Sequence, residues 1–87
     1  MRITPETIRA TVAAYILDEF LPGEDPAALT SSTALITGRI LDSLGTLKLV
    51  AFLEAHYGFE LAAHEADPEH LDTLARIVSL VQSKLSR

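Results

Sequence analysis

An all-α fold in a single domain, built from three main helices and one short one, is what this 87-residue sequence predicts. Three observations carry the expectation. Apolar residues recur at helical spacing in three separate segments. Two segments open on a capping residue followed by proline, at Thr4-Pro5 and at Asp67-Pro68. Gly58 stands where the middle segment should stop.

The first helix is expected over 5–20. Thr4 supplies a capping hydroxyl, Pro5 suits the first turn, and Glu6 lies near the positive end of the helix dipole. Ile8, Val12, Tyr15/Ile16 and Glu19/Phe20 then recur at helical spacing and place one apolar stripe, and Leu21-Pro22-Gly23 ends it. Residues 22–41 follow with two prolines, two glycines and a Thr/Ser cluster, and no sustained period. So long a connection is uncommon in a compact domain. Leu29, Leu35, Ile36, Ile40 and Leu41 mark it as a loop pinned by apolar contacts, with Asp25-Pro26 able to open a single turn.

The second main helix is expected over 43–57. At about 100° per residue its side chains divide into two arcs. Thr46, Leu49, Val50, Leu53 and Tyr57 face the core, whereas Leu44, Leu47, Lys48, Ala51 and Ala55 face outward with Phe52 close beside them. That outer arc is unusually apolar for a solvent face and calls for an explanation. Asp67-Pro68-Glu69 starts a short helix ending near Leu71, and Asp72 or Thr73 caps the last one, over 73–85. The expected core is Ile8, Val12, Ile16, Leu49, Val50, Leu53, Tyr57, Leu74, Ile77, Val78 and Val81.

Composition narrows the chemistry. The chain has no cysteine, which excludes a disulfide framework, a cysteine-based metal site and any thiol of its own. Its formal net charge of −5 argues against nucleic-acid binding, which needs surplus Lys and Arg to displace counterions. Residues 42–72 hold seven of the twelve acids against Lys48 alone. Charged residues interrupt the N-terminal segment, and no apolar run approaches 18 residues, so neither a signal peptide nor a membrane span is expected and a cytoplasmic monomer is. His64, Glu65, Asp67, Glu69 and His70 crowd one short stretch, but no zinc-type spacing is present and Pro68 breaks any shared helical face. They read as structural or solvated, with no metal expected. Ser43 lies outside a G-x-S-x-G elbow, and no phosphate-binding glycine pattern occurs. The sequence does not read as an enzyme.

Ser43 is nevertheless placed distinctively. It leaves a long anchored loop, follows an acid and begins a helix whose outer face is apolar. Ordinary capping by Asp42 or Ser43 explains the position but not the surroundings. A hydroxyl presented there could carry a phosphate ester at the positive end of the helix.

Asp42-Ser43-Leu44, followed by Leu47, Leu49-Val50, Leu53-Glu54 and Tyr57-Gly58, resembles the signature of acyl and aminoacyl carrier proteins. Leu71-Asp72-Thr73-Leu74 with Ile77 resembles the start of their last helix, and the likeness runs from about residue 8 to 84. The resemblance implies a four-helix carrier bundle. It also implies that Ser43 carries 4′-phosphopantetheine, placed there from coenzyme A by a phosphopantetheinyl transferase using Mg²⁺. Asp42 would cap the helix and assist recognition. Leu44 matches a position that commonly touches partner enzymes, and with Leu47, Lys48, Ala51, Phe52 and Ala55 it would form the docking face. The partners implied are the transferase, an acyl- or aminoacyl-loading enzyme and a downstream synthase or transferase, with cargo held as a thioester.

Departures from the family pattern refine this. Gly45, Lys48 and Ala55 stand where carriers of primary fatty acid synthesis are acidic, leaving Glu54 as the acid, and Arg39 falls where a loop glycine is common. The run Ile40-Leu41-Asp42-Ser43-Leu44-Gly45-Thr46-Leu47-Lys48-Leu49-Val50 is more similar to stand-alone carriers of polyketide and nonribosomal peptide metabolism. The D-alanyl carriers of cell-wall modification are an alternative. So are a primary fatty-acid carrier and a non-carrier helical interaction domain.

Overall fold

Thr4 starts the chain's first helix through a reciprocal cap. Its hydroxyl accepts the Thr7 backbone N–H at 3.2 Å, and its own N–H donates to the Thr7 hydroxyl at 2.9 Å. With Pro5 at the first turn, helix α1 runs Pro5–Phe20. The structure is a computed structural model and describes residues 3–86. Helix α2 spans Ser43–Tyr57, α3 is the single turn Pro68–Leu71, and α4 spans Leu74–Leu85. Short 3₁₀ turns occur at Pro26–Ala28, where the Asp25 carboxylate caps the Ala27 N–H, and at Ala63–Glu65.

The stop signal after α2 is the expected one. Gly58 adopts φ +74°, a left-handed conformation open to glycine without a Cβ penalty, and its N–H returns to the Glu54 carbonyl. Of the two candidate caps for α4, Thr73 serves: its hydroxyl accepts the Arg76 N–H at 3.1 Å. Asp72 is thereby left for another task.

Helix α4 packs against each of the other helices and forms the centre of the bundle. Its Leu74, Ile77, Leu80 and Val81 meet Ile8, Val12 and Ile16 of α1, Leu49 and Leu53 of α2 and Leu71 of α3 in one buried cluster. Leu29, Leu35 and Leu41 from the long connection belong to the same cluster, so this segment is core as well as loop. Truncating a buried leucine of this kind costs about 2–5 kcal/mol, so the connection is anchored at three points.

Three residues expected in the core lie at its edge. Val50 and Val78 each follow a fully buried residue, Leu49 and Ile77, and one step of about 100° turns them half out of the packed stripe. Tyr57 is half-buried at the last turn of α2, its ring stacked on Phe59 at 6.2 Å. Burial pushes its phenol above the usual range, and the nearby Thr11 side chain partly offsets this. Leu71 and Leu80 take core places that periodicity alone did not assign. Among the described residues no helix is long and apolar enough to cross a membrane.

Candidate functional site

The first turn of α2 is built around Asp42. Its carboxylate accepts the Gly45 N–H at 2.6 Å, and its carbonyl accepts both the Thr46 N–H at 2.8 Å and the Thr46 hydroxyl at 2.9 Å. Asp42 is therefore the N-cap and Ser43 the first helical residue, exposed to solvent, with its hydroxyl not spent on capping. Packing at Gly45 is tight. A Cβ there would lie 3.1 Å from both the Phe20 ring and the Asp42 carboxylate, so a side chain at this place would push the end of α1 and the cap apart by a few tenths of an ångström.

What holds the turn in place is the loop before it. The Asp72 carboxylate accepts the Ile36 N–H at 2.8 Å, the Thr37 N–H at 2.9 Å and the Thr37 hydroxyl at 2.9 Å. Its carbonyl accepts the Leu35 N–H at 2.6 Å. Asp72 is 8% exposed and is the buried charged residue of the core. The Thr37 N–H in the first place, with the Thr37 hydroxyl and the Ile36 N–H, holds its carboxyl below the usual carboxylate range against the opposing effect of burial. Backbone bonds then close the loop on itself, with the Ile40 and Leu41 N–H groups both reaching the Leu35 carbonyl and the Arg39 N–H reaching that of Ile36. Arg39 takes φ +66°, a left-handed conformation that glycine adopts without a Cβ penalty.

Shallow grooves flank Ser43. One, of about 330 Å³, is lined by Ile36, Ser43, Thr46 and Leu47 and closed by Ala66, Asp67 and Pro68. A second, of about 390 Å³, joins Ser43 and Thr46 to Ile36, Arg39, Leu41 and Asp42. A third, of about 230 Å³, lies across Asp42 and includes Arg39, Leu44, Gly45, Lys48 and Glu19. An exposed hydroxyl at a capped helix start, with open grooves beside it, fits a covalently attached phosphate-linked arm. The grooves are open to solvent and suit an extended group better than an enclosed ligand.

The outer arc of α2 is where the periodicity put it. Leu44 and Leu47 are 61% and 62% exposed, and Lys48, Ala51 and Ala55 are exposed with them. Lys48 reaches Glu19 of α1 at 3.7 Å, a half-exposed pair of the kind worth about 0–1 kcal/mol. Two residues differ from expectation. Phe52 is half-buried and stacks on Tyr15 at 4.1 Å, so its ring is engaged in joining α1 to α2. Glu54, read from the sequence as the acid of the outer face, is half-buried and accepts the Leu61 N–H at 2.8 Å, tying down the chain after the helix.

The histidine–acid stretch is divided by the fold. Asp67, Glu69 and His70 bring ligand-type atoms within 4.8 Å of one another. Asp67 is occupied as the cap of α3, accepting the His70 N–H at 3.1 Å and contacting its Nδ1 at 2.8 Å. That contact with the imidazole holds the Asp67 carboxyl below its ordinary range. Glu65 lies elsewhere, paired with Lys84 at 2.6 Å.

Sequence reasoning missed the role of Asp72 and the place of Asp67 and Pro68 in the wall of the groove. Both depend on contacts across the fold, and Asp72 carried a local signal only as a candidate cap.

No family model matches the chain. D-alanyl carrier protein 1 of Lactiplantibacillus plantarum is 32% identical over 81 residues, a stretch covering 93% of this chain and 98% of that protein.

Proposed function

Because this chain belongs to the acyl- and aminoacyl-carrier-protein family, we propose that it tethers intermediates through 4′-phosphopantetheine attached to Ser43. The observation that carries the reading is the exposed Ser43 hydroxyl at the start of α2, left free by the Asp42 cap and flanked by open grooves. When bound, the prosthetic group supplies the thiol that this cysteine-free chain lacks, and with it thioester chemistry. The chain's own residues do the rest. Asp42 fixes the first turn, Asp72 fixes the loop that leads to it, and Leu44 and Leu47 offer an apolar contact for partner enzymes. Lys48, Ala51 and Ala55 extend that face, and Phe52 supports it from within. Bond-making and bond-breaking steps belong to the partners: a phosphopantetheinyl transferase, a loading enzyme and an acceptor enzyme.

Two cargo classes are compatible with this reading. The likeness to a D-alanyl carrier favours an aminoacyl cargo. The α2 sequence, with Gly45, Lys48 and Ala55 in place of acids, favours a specialised polyketide or nonribosomal peptide route. Either way the face differs from that of an acidic fatty-acid carrier, since charge complementarity governs encounter and the rejection of wrong partners. Incubation with a broad-specificity phosphopantetheinyl transferase, coenzyme A and Mg²⁺, followed by intact-mass measurement, tests the attachment. One phosphopantetheine per chain is expected, and none on Ser43→Ala.

A further inference from the structure

We propose that Arg39 is the anion-pairing residue of the Ser43 site: its guanidinium neutralises the phosphodiester carried on the Ser43 oxygen and holds it away from Asp42. The inference rests on the attachment proposed for Ser43 and adds a residue to it.

Position comes first. Arg39 is exposed and lines both the groove that contains Ser43 and the one across Asp42 from it. The guanidinium thus shares one open groove with the Ser43 hydroxyl and borders the Asp42 cap.

Availability comes second. Five cationic side chains fall among the described residues: Arg9, Arg39, Lys48, Arg76 and Lys84. Lys84 is paired with Glu65, Arg76 donates to the Pro68 carbonyl at 3.1 Å, and Lys48 is held by Glu19. Arg9 lies with Glu6 at a separate depression formed with Ser31, Ala75 and Val78. Of the two cations beside Ser43, Arg39 is the one with no ion pair among the described residues.

The backbone supplies the third step. Arg39 adopts φ +66°, a conformation that strains a residue with a Cβ and carries no steric penalty for glycine. The turn itself is closed by main-chain bonds from Arg39, Ile40 and Leu41, none of which depends on the arginine side chain. A residue with a Cβ held in this conformation points to a task for the side chain.

Electrostatics defines that task. A phosphodiester on Ser43 would add a negative charge next to the Asp42 carboxylate, which lines the same groove as Ser43 and Arg39. Like charges this close repel, and a planar guanidinium is suited to binding phosphate oxygens through paired N–H donors. Arg39 is placed to convert a repulsive site into a balanced one.

The test compares wild type, Arg39→Gly and Arg39→Lys, each loaded to completion by a phosphopantetheinyl transferase with coenzyme A and checked by intact mass. The readouts are the ³¹P resonance of the phosphodiester at low salt and at about 1 M NaCl, where exposed pairs are screened, and the melting temperatures of unloaded and loaded protein. Unloaded Arg39→Gly is expected to melt at or above wild type, because the strain is relieved. On loading, wild type and Arg39→Lys should change by less than about 1 °C, whereas Arg39→Gly should fall by about 2–4 °C. The ³¹P resonance should respond to salt in wild type and not in Arg39→Gly. Identical salt response and identical loading shifts in wild type and Arg39→Gly would overturn the role of Arg39 while leaving Ser43 intact. Should Arg39→Gly resist loading, Arg39→Gln removes the charge and is read by the same criteria. Wild type that gains no mass, when a control carrier does, overturns the Ser43 attachment and this inference together.

Discussion

Replacing Asp72 by alanine should loosen the loop that presents Ser43, and the size of the effect follows from the bonds removed. Its carboxylate accepts three hydrogen bonds, from the Ile36 N–H, the Thr37 N–H and the Thr37 hydroxyl, at 2.8, 2.9 and 2.9 Å. Hydrogen bonds to a charged group contribute about 1.5–3 kcal/mol each, and a buried donor left unpaired costs about 1–3 kcal/mol. Thr37 is exposed and Ile36 half-buried, so water can recover part of the loss at Thr37. A total near 3 kcal/mol is the reasonable expectation. A domain of this length has an unfolding entropy of about 0.18 kcal/mol/K, so the melting temperature should fall by about 15 °C. Circular dichroism on purified Asp72→Ala measures this directly. Thr37→Val removes one of the three bonds and should cost about 3–8 °C. Amide exchange at Ile36 and Thr37 should accelerate in the alanine variant. If Asp72→Ala melts within about 2 °C of wild type, the loop is not held by this carboxylate and the reasoning fails.

The same carboxylate sets a pH dependence. Its folded pKa lies below the unfolded value, so the stabilisation is present above about pH 4 and is lost as pH falls through the folded pKa. Between about pH 5 and 2 the melting temperature of Asp72→Asn should accordingly decline less steeply than that of wild type. Asp42→Ala removes the cap of α2 and should cost about 1 kcal/mol, near 5 °C in melting temperature, while slowing transferase loading measured by mass. Leu47→Glu, at a position 62% exposed, should leave the melting temperature within about 3 °C and reduce transfer to a cognate partner enzyme. Unchanged transfer would return Leu47 to an ordinary surface residue.

Much of this architecture was legible because its signals are local. Thr4-Pro5, Asp67-Pro68 and Gly58 act within one helical turn, and they set the ends of α1, α3 and α2 without help from the rest of the chain. The outward direction of Leu44, Leu47, Lys48, Ala51 and Ala55 follows from helical rotation alone. Direction does not reveal neighbours, however. Phe52 is turned partly outward and is covered by Tyr15, a residue of another helix. Glu54, the acid expected on the outward face, binds the Leu61 amide beyond the helix end. Asp72 finds its partners 35 and 36 residues away, where no period reaches. Leu29, Leu35 and Leu41 were recognised as anchors, but only the fold shows that they are buried as fully as the helical core.

The central claim is that Ser43 is the point of attachment for a prosthetic arm. It is tested most directly by intact mass and peptide mapping after incubation with a phosphopantetheinyl transferase, coenzyme A and Mg²⁺. The expected result is one phosphopantetheine per chain, located on Ser43 and absent from a folded Ser43→Ala. A wild-type chain that stays unmodified while a control carrier is modified, or a modification mapped to another residue, would contradict it.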